Sequence, residues 1–415
     1  RVIVAHVSTA DQVEEAWGKC PLEHRLLIGG ERPGWLSFGK AIREARSLEP
    51  VPLTAQDPMT INFTSGTTGN PKPVMHRHRW MYGHNRVTAR YWWGATEDDF
   101  IWATTAPGWA KWYWSPMGVG LTCGATQFSY HGRFDPERYL DILSRYPITK
   151  LCATPTEYRL IVAHVPNLAS WREKLKLRDA LSAGEPLNAE VIDTVRDALG
   201  VTIRDGYGQT ESVCLVCNYP GLPVKPGSMG VPTPGPNASV IDEKGNPVGP
   251  GGLGEIAVPV GNPGIFDGYW KDPELTKAVF SGKWYRTGDL ARVDEEGYLF
   301  FEGRADDIIL SAGYRIGPFE VEDALVTHPA VAEAAVVGSP HPERGEIVKA
   351  FVILSPGYEP SEALVRELQE HVKRVTAPYK YPREIEFVTG LPKTASGKIK
   401  RAELRRRERE RKLKG

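Results

Sequence analysis

Residues Phe63–Lys72 read FTSGTTGNPK, and this stretch sets the interpretation of the whole chain. An apolar strand end passes into hydroxyl-bearing residues and glycines, and the run closes with a proline and a lysine. Glycine lets the backbone turn its N–H groups inward around an anion, while the hydroxyls and Lys72 add donors and a positive charge. The pattern therefore suits a polyphosphate such as ATP, but taken alone it is more often a plain polar surface loop, because such clusters are common between periodic segments. It has neither the Walker order nor the G-x-G-x-x-G turn of dinucleotide-binding proteins.

Four further motifs follow in a fixed order along the chain. They are DGYGQTES at Asp205–Ser212, YRTGDL at Tyr285–Leu290, GRADDIILSAGYRIGPFEVE at Gly303–Glu322, and PKTASGKIKR at Pro392–Arg401. The five together resemble the acyl-activating, adenylate-forming superfamily, which includes acyl-CoA synthetases, luciferases and the adenylation domains of peptide synthetases. The stretches SAGYRIGPFEVEDALVTHPAV and VTAPYKYPREIEFV are most similar to medium-chain acyl-CoA synthetases. The resemblance extends from about Arg1 to Arg406.

Length, composition and charge agree with an enzyme of this kind. The 415 residues are 41% hydrophobic and 25% charged, which is typical of a globular protein with two or three domains. Fifty-one basic residues balance fifty-one acidic ones, so no overall field draws nucleic acid or an anionic membrane, and we expect neither as a partner. No apolar run approaches the roughly 18 residues that span a bilayer. We expect a cytoplasmic location, with an organelle matrix as the alternative.

The cysteines and histidines do not predict a metal centre. Five cysteines in a chain of this length do not form a disulfide framework. Cys214 and Cys217 form a single C-x-x-C without a second pair, so we expect them to pack beside the nucleotide loop. His76 and His78 stand two apart, but a carboxylate or cysteine partner is missing nearby.

Local patterns predict an α/β fold in three parts. Residues 1–219 alternate short apolar runs with amphipathic segments, for example Asp135–Arg145, which indicates wound parallel sheets with flanking helices. Close Gly and Pro turn signals over residues 220–304 favour a small antiparallel β-rich subdomain. Residues 305–415 predict a smaller, mobile α+β lid that ends in a solvated helix with Glu–Arg pairs. Family members carry a longer segment before the phosphate loop, so we expect the N-terminal part of the first subdomain to be missing, which puts independent stability in doubt.

The resemblance implies an ATP site, assembled from several motifs. In it Tyr207 lies against adenine, Thr210 contacts the α-phosphate, Glu211 binds Mg²⁺, and Asp289 and Arg304 reach the ribose. A hard oxygen ligand is what Mg²⁺ prefers. The complete set of expected ATP-binding residues is Thr64, Ser65, Gly66, Thr67, Thr68, Gly69, Lys72, Gly184, Glu185, Pro186, Asp205, Gly206, Tyr207, Gly208, Gln209, Thr210, Asp289 and Arg304.

The resemblance also assigns roles in the lid. Lys398 is the catalytic lysine that bridges the carboxylate and the α-phosphate, and with Thr210 and Glu211 it completes the expected catalytic set. Asp306 is the hinge about which the lid rotates between the two half-reactions. The expected CoA-binding residues combine cations for phosphates, a glycine for a narrow tunnel and an aromatic face for adenine: Gly313, Arg315, Arg344, Lys373 and Tyr381.

The acid substrate is less defined by the sequence. Trp109–Trp114, WAKWYW, occupies the segment that lines the acid site in similar enzymes, and its aromatic character suits a medium-chain, branched or aromatic acid. Within it Lys111 either meets a carboxylate or reaches solvent. The leading hypothesis is an ATP-dependent acyl-CoA synthetase. Two alternatives are an adenylating enzyme with a carrier-protein thiol as acceptor and a nucleotide-binding remnant without turnover. The sequence leaves the oligomeric state open.

Overall fold

A computed structural model describes residues 1–64, 71–105, 110–185, 187–393 and 398–414. The chain forms two compact units, Arg1–Thr54 and Ala55–Gly415. No helix among these described residues is both long enough and apolar enough to span a membrane.

The first unit is a parallel sheet with flanking helices. Its strands, in spatial order, are β1 (Val2–His6), β2 (His24–Ile28) and β3 (Leu36–Ser37), and its α-helices are α1 (Ala10–Trp17) and α2 (Phe38–Glu44). A 3₁₀ turn, Val7–Thr9, precedes α1. Strand β1 pairs with β2 in parallel, which agrees with the wound parallel sheets predicted for residues 1–219.

The second unit begins with the hairpin that carries the phosphate loop. Its elements are β4 (Pro58–Thr64), β5 (Lys72–Arg77), α3 (Arg79–Gly83) and a π-helix, His84–Trp93. Thr64 and Lys72 pair across the hairpin, so the loop leaves and re-enters the sheet at one point. The remainder of the loop, at 65–70, lies outside the described residues.

A seven-stranded sheet forms the body of this unit. Its strands are β6 (Phe100–Ala103), β7 (Thr126–Phe128), β8 (Lys150–Ala153), β9 (Asp179–Ala183), β10 (Ile203–Gly208), β11 (Cys214–Cys217) and β12 (Val231–Pro232), in the order β12-β11-β10-β9-β8-β6-β7. The five neighbouring strands β7, β6, β8, β9 and β10 pair in parallel, as predicted. Strands β11 and β12 extend the sheet in antiparallel pairing. The helices are α4 (Ala110–Trp112), a π-helix (Tyr113–Gly120), α5 (Leu121–Cys123), α6 (Pro136–Arg145), α7 (Pro155–His164), a 3₁₀ segment (Leu168–Lys174) and α8 (Ala189–Leu199).

The glycine- and proline-rich region forms the predicted small antiparallel sheet. Its elements are β13 (Ser239–Ile241), β14 (Leu253–Pro259), β15 (Gly268–Tyr269), α9 (Pro273–Val279), β16 (Phe280–Ser281), β17 (Trp284–Val293) and β18 (Leu299–Arg304). Strand β15 pairs instead with β5 of the phosphate hairpin. This pairing brings residues far apart in sequence next to the strand that follows the loop.

The C-terminal region is an α+β layer, as predicted. It comprises β19 (Ile309–Ser311), β20 (Tyr314–Ile316), α10 (Pro318–Val326), β21 (Val331–His341), β22 (Gly345–Leu354), α11 (Glu362–Val375), a 3₁₀ turn (Pro378–Lys380), β23 (Glu384–Phe387) and α12 (Arg401–Lys414). The prediction that the last helix is simply solvated is wrong for one face, because Leu404 and Glu408 are each 2% exposed. The Glu–Arg pairs expected on its outer face do form.

Candidate active site

The start of β5 meets the turn after β10 through a tyrosine of β15. The Tyr269 hydroxyl donates to Glu211 Oε1 at 2.9 Å, and Lys72 Nζ lies 5.7 Å from the Tyr269 ring centroid. Burial raises the pKa of Glu211, although the Tyr269 hydrogen bond and the Lys72 charge oppose that rise. Two residues that the sequence assigned to phosphate and Mg²⁺ thus share one neighbour.

A second group forms around Asp289 on β17. Its Oδ2 accepts from the Tyr207 hydroxyl at 2.6 Å and from Gln209 Nε2 at 2.5 Å, and its Oδ1 accepts from Arg304 Nη1 at 3.2 Å. Tyr285 donates to Gln209 Oε1 at 2.6 Å and was not among the predicted residues. Burial beside the Asp289 carboxylate raises the pKa of Tyr207, so its phenol stays protonated. The residues predicted for adenine and ribose therefore contact one another directly.

Two indole rings leave no room for a side chain at the glycines of the Asp205–Ser212 motif. A Cβ on Gly206 would lie 2.5 Å from Trp92 Nε1, and one on Gly208 would lie 2.3 Å from Trp114 and 2.4 Å from the Val213 carbonyl. Trp92 is fully buried, and Trp114 is 4% exposed. The nucleotide motif and the aromatic segment predicted for the acid are therefore in direct contact.

Lys111 does not reach solvent, which was one of the two possibilities that the sequence left open. Its side chain is 8% exposed and its Nζ donates to the carbonyls of Ala183, at 3.1 Å, and Ala153, at 3.4 Å. These carbonyls end β9 and β8, at the carboxyl edge where ligands bind in open α/β sheets. The pKa of the neighbouring Asp205 rises to about 8 because burial outweighs the bond from the Gly206 N–H and the charge of Lys111.

Gly184 and Glu185 continue this edge directly after β9. Gly184 has φ +104, a conformation that favours glycine. Glu185 Oε2 accepts from Thr156 Oγ1 at 2.6 Å and from Arg159 Nη2 at 2.9 Å, both on α7. The other predicted contact here, Pro186, lies outside the described residues, as do Ser65, Gly66, Thr67, Thr68, Gly69 and Trp109.

The residues predicted for CoA form two groups in the lid. Gly313, with φ +84, lies in the β19–β20 turn, where the Ala312 N–H donates to the Arg344 carbonyl at 3.0 Å. Arg315 forms an exposed ion pair with Glu243 at 3.0 Å. Tyr314, next to Gly313, stacks on Tyr379, two residues before Tyr381, with ring centroids 4.3 Å apart. This contact joins the first group to the second, which contains Tyr381.

The second group contains a tyrosine flanked by cations. Lys373 Nζ lies 4.3 Å and the Arg383 guanidinium 4.8 Å from the Tyr381 ring centroid, and Arg383 also donates to the Tyr381 hydroxyl at 2.7 Å. Lys373 pairs with Glu370 at 2.6 Å. Sequence reasoning missed Arg383, which follows Tyr381 by two residues.

The hinge and catalytic-lysine candidates stand at the two ends of the lid sequence. Asp306 is half-exposed and accepts from Arg304 Nε at 3.4 Å, immediately after β18. Lys398 is exposed and precedes Ile399, which bridges to Lys393. The roles of both residues stay predictions.

The Cys214–Cys217 pair and His76 are part of the packed interior. Cys214 and Cys217 are buried in β11, and no cluster of three potential metal ligands occurs within the described ranges. His76 is also buried, and its Nε2 lies 2.6 Å from the Thr210 carbonyl oxygen. Its ring therefore contacts the active-site turn, a role that its spacing from His78 did not indicate.

Comparisons with known proteins agree with this assembly. The family model for AMP-binding enzymes matches residues 1–270, and the model for the AMP-binding enzyme C-terminal domain matches residues 320–398. An uncharacterized acyl–CoA ligase of Bacillus subtilis, YtcI, is 52% identical over 92% of this chain and 72% of its own length. The mitochondrial acyl-coenzyme A synthetase ACSM3 of Homo sapiens is 44% identical over 98% of this chain and 70% of its own length.

A solved structure extends the likeness to the fold. The anthranilate CoA ligase AuaEII, in complex with anthranoyl-AMP, matches 98% of this chain and 78% of its own chain at 34% identity, with a TM-score of 0.89. The family-model match to residues 1–270 and the similarity to these relatives together identify the family of this chain. The chain belongs to the AMP-binding, adenylate-forming enzyme family, within its acyl-CoA synthetases, which are AMP-forming acid–thiol ligases.

Proposed function

We propose that this chain is an ATP-dependent acyl-CoA synthetase that converts a medium-chain or aryl carboxylic acid into its CoA thioester. The observation that carries the proposal is the contact of Tyr207 with Asp289 and of Tyr269 with Glu211. These contacts join residues of β10, β15 and β17 and the turn after β10, beside the start of β5. A site that brings together residues predicted for phosphate, ribose and Mg²⁺ suits ATP.

The first half-reaction is adenylation. A carboxylate oxygen of the acid attacks the α-phosphorus of ATP, the bond to the β-phosphate oxygen breaks, and pyrophosphate leaves. This step needs charge neutralisation and alignment more than covalent catalysis. We assign Lys72 and the loop at 64–69 to the phosphates, Asp289 and Arg304 to the ribose, and Thr210 and Lys398 to the reacting α-phosphate.

The chemistry of the site fits Mg²⁺ held by one protein carboxylate and the phosphates of the substrate. Glu211 supplies a hard oxygen donor, and the described residues offer no cluster of three ligands that would hold a cation alone. Mg²⁺ is commonly bound by one or two carboxylates plus substrate phosphates. Bound there, the ion would neutralise charge on the triphosphate.

The second half-reaction transfers the acyl group to CoA. The CoA thiol loses its proton to solvent, its sulfur attacks the acyl carbonyl carbon, the bond from that carbon to the AMP oxygen breaks, and AMP leaves. We assign the cation-flanked Tyr381 to the CoA adenine, with Lys373, Arg344 and Arg315 for its phosphates. Gly313 would admit the pantetheine after rotation about Asp306.

The acid pocket is proposed to lie between the Asp205–Ser212 motif and the aromatic segment. Trp92 and Trp114 provide buried apolar surface against Gly206 and Gly208, which suits an apolar or aromatic acid. An anthranilate CoA ligase and a benzoate CoA ligase are among the similar structures. A cytoplasmic or organelle-matrix location completes the proposal.

ATP–pyrophosphate exchange with a panel of acids, followed by CoA addition, tests the function. We expect exchange with medium-chain or aryl acids and thioester formation with free CoA. Exchange without thioester formation would favour a carrier-protein acceptor. ATP binding without exchange for any acid would favour a remnant without turnover, and either result would overturn the proposal.

A further inference from the structure

Two stacked rings hold the backbone on both sides of Glu211. His76 Nε2 lies 2.6 Å from the Thr210 carbonyl oxygen, and Trp80 Nε1 donates to the Ser212 carbonyl at 3.3 Å. The Glu211 carbonyl between them accepts from the Phe266 N–H at 2.8 Å. Three consecutive carbonyls are therefore bonded by groups from outside the turn.

The two rings are stacked on each other in the protein interior. His76 and Trp80 are both fully buried, with ring centroids 3.6 Å apart and planes within 7° of parallel. Because a carbonyl only accepts, the bond assigns the His76 proton to Nε2. His76 belongs to β5 and Trp80 to α3, so the rings link the strand that begins at Lys72 to the turn that carries Glu211.

We propose that His76 and Trp80 are positioning residues that fix the Glu211 carboxylate for the metal–ATP complex. This inference rests on the proposed function, because it assigns a support to the proposed metal ligand. The Tyr269 hydroxyl holds one oxygen of that carboxylate, and the two rings hold the backbone from which the side chain extends. Outer partners that orient a metal ligand typically contribute strongly to metal affinity.

Replacement of the ring donors tests this support. His76→Phe and Trp80→Phe each keep an aromatic ring for the stack and remove one N–H, whereas His76→Gln keeps an N–H donor at the position of Nε2. His84→Phe is the matched control. His84 is equally buried in the same aromatic cluster, at 4.6 Å from Trp80, but its Nδ1 contacts Thr88 Oγ1 instead of the turn.

The primary readout is Mn²⁺ affinity in the presence of a non-hydrolysable ATP analogue, measured by electron paramagnetic resonance. We expect His76→Phe and Trp80→Phe to weaken it by roughly tenfold, His76→Gln to restore most of it, and His84→Phe to change it less than about twofold. The half-saturating Mg²⁺ concentration in pyrophosphate exchange should move in parallel. Circular dichroism and thermal unfolding select the variants that are folded.

Unchanged Mn²⁺ affinity in a folded His76→Phe or Trp80→Phe protein would overturn the proposal. An equal loss in His84→Phe would also overturn it, because general loosening of the cluster would then explain the effect. If His76→Phe does not fold, Trp80→Phe compared with His84→Phe carries the same test. A parent protein that binds Mn²⁺–ATP but lacks acid-dependent exchange would contradict the proposed function without deciding the role of the rings.

Discussion

Lys349 Nζ lies 2.6 Å from Glu408 Oε1 inside the lid, where each residue is 2% exposed. Glu408 belongs to α12, and its Oε2 also accepts from Ser339 Oγ at 3.0 Å. Two further ion pairs anchor the same helix, Arg401 with Glu322 at 2.5 Å and Arg405 with Asp307, the residue after the hinge candidate. The C-terminal helix is thus part of the lid interior.

We expect Glu408→Ala to lower the free energy of unfolding of the lid by roughly 1–3 kcal/mol, because the buried Lys349 ammonium loses this partner and keeps only Glu386, at 2.6 Å, among its described carboxylate partners. Glu410→Ala is the matched control on the same helix, since Glu410 is exposed and pairs with Arg406 at the surface. Its cost should stay below about 0.5 kcal/mol. Urea unfolding, with hydrogen exchange of the α12 amides as the local readout, measures both. Similar losses in the two variants would contradict a special role for the buried pair.

Lys398→Ala should abolish adenylation but leave thioester formation from supplied acyl-AMP largely intact. The reason is that Lys398 is assigned to charge that develops only during attack on the α-phosphate. Lys400→Ala is the control, because Lys400 is also exposed and its described bond to Pro392 uses only the backbone. Equal losses in the two half-reactions of Lys398→Ala would show that the assignment is wrong.

Gly313→Leu should stop CoA transfer while adenylation persists, if the glycine admits pantetheine. The φ of +84 adds backbone strain to any such substitution, so a matched variant is needed. Gly297 supplies it, because its φ is +85 and open space surrounds the Cβ position in both residues. Gly297→Leu, in the β17–β18 turn, should introduce the same backbone strain without obstructing the path of the pantetheine. Thioester formation and pyrophosphate exchange on the same preparations separate these effects, and a parallel loss of thioester formation in both variants would argue against the tunnel.

The stability of the parent relative to Asp205→Asn should fall as pH rises. Because the pKa of Asp205 rises from 3.8 to about 8 in the fold, the folded state keeps a proton that the unfolded state loses between these values. The difference in urea midpoint between the two proteins should therefore decline through this window and level off above it. A pH-independent difference would mean that Asp205 is ionised in the fold and compensated by Lys111.

The amino-acid sequence by itself determined the order of elements and the family. Periodicity and turn residues predict the helix at Asp135–Arg145, the parallel strands and the α+β lid, because these depend on local spacing and on which face is apolar. Motif order predicted that Glu211, Asp289 and Tyr207 belong to one site, and the structure joins Asp289 to Tyr207.

Tertiary structure alone decided which side chains support that site. Tyr269, Trp80 and Phe266 reach the Glu211 turn from positions that no local pattern relates to it, since β15 pairs with β5 across nearly two hundred residues. Tertiary structure also decided that one face of α12 is buried, although the composition of this helix indicates a solvated one. Glu408 is buried against Lys349, on a strand 59 residues earlier, which supplies a charge at hydrogen-bonding distance in addition to that of Arg411 on the same helix. Pairing energies of this kind depend on distance in space, which local sequence does not encode.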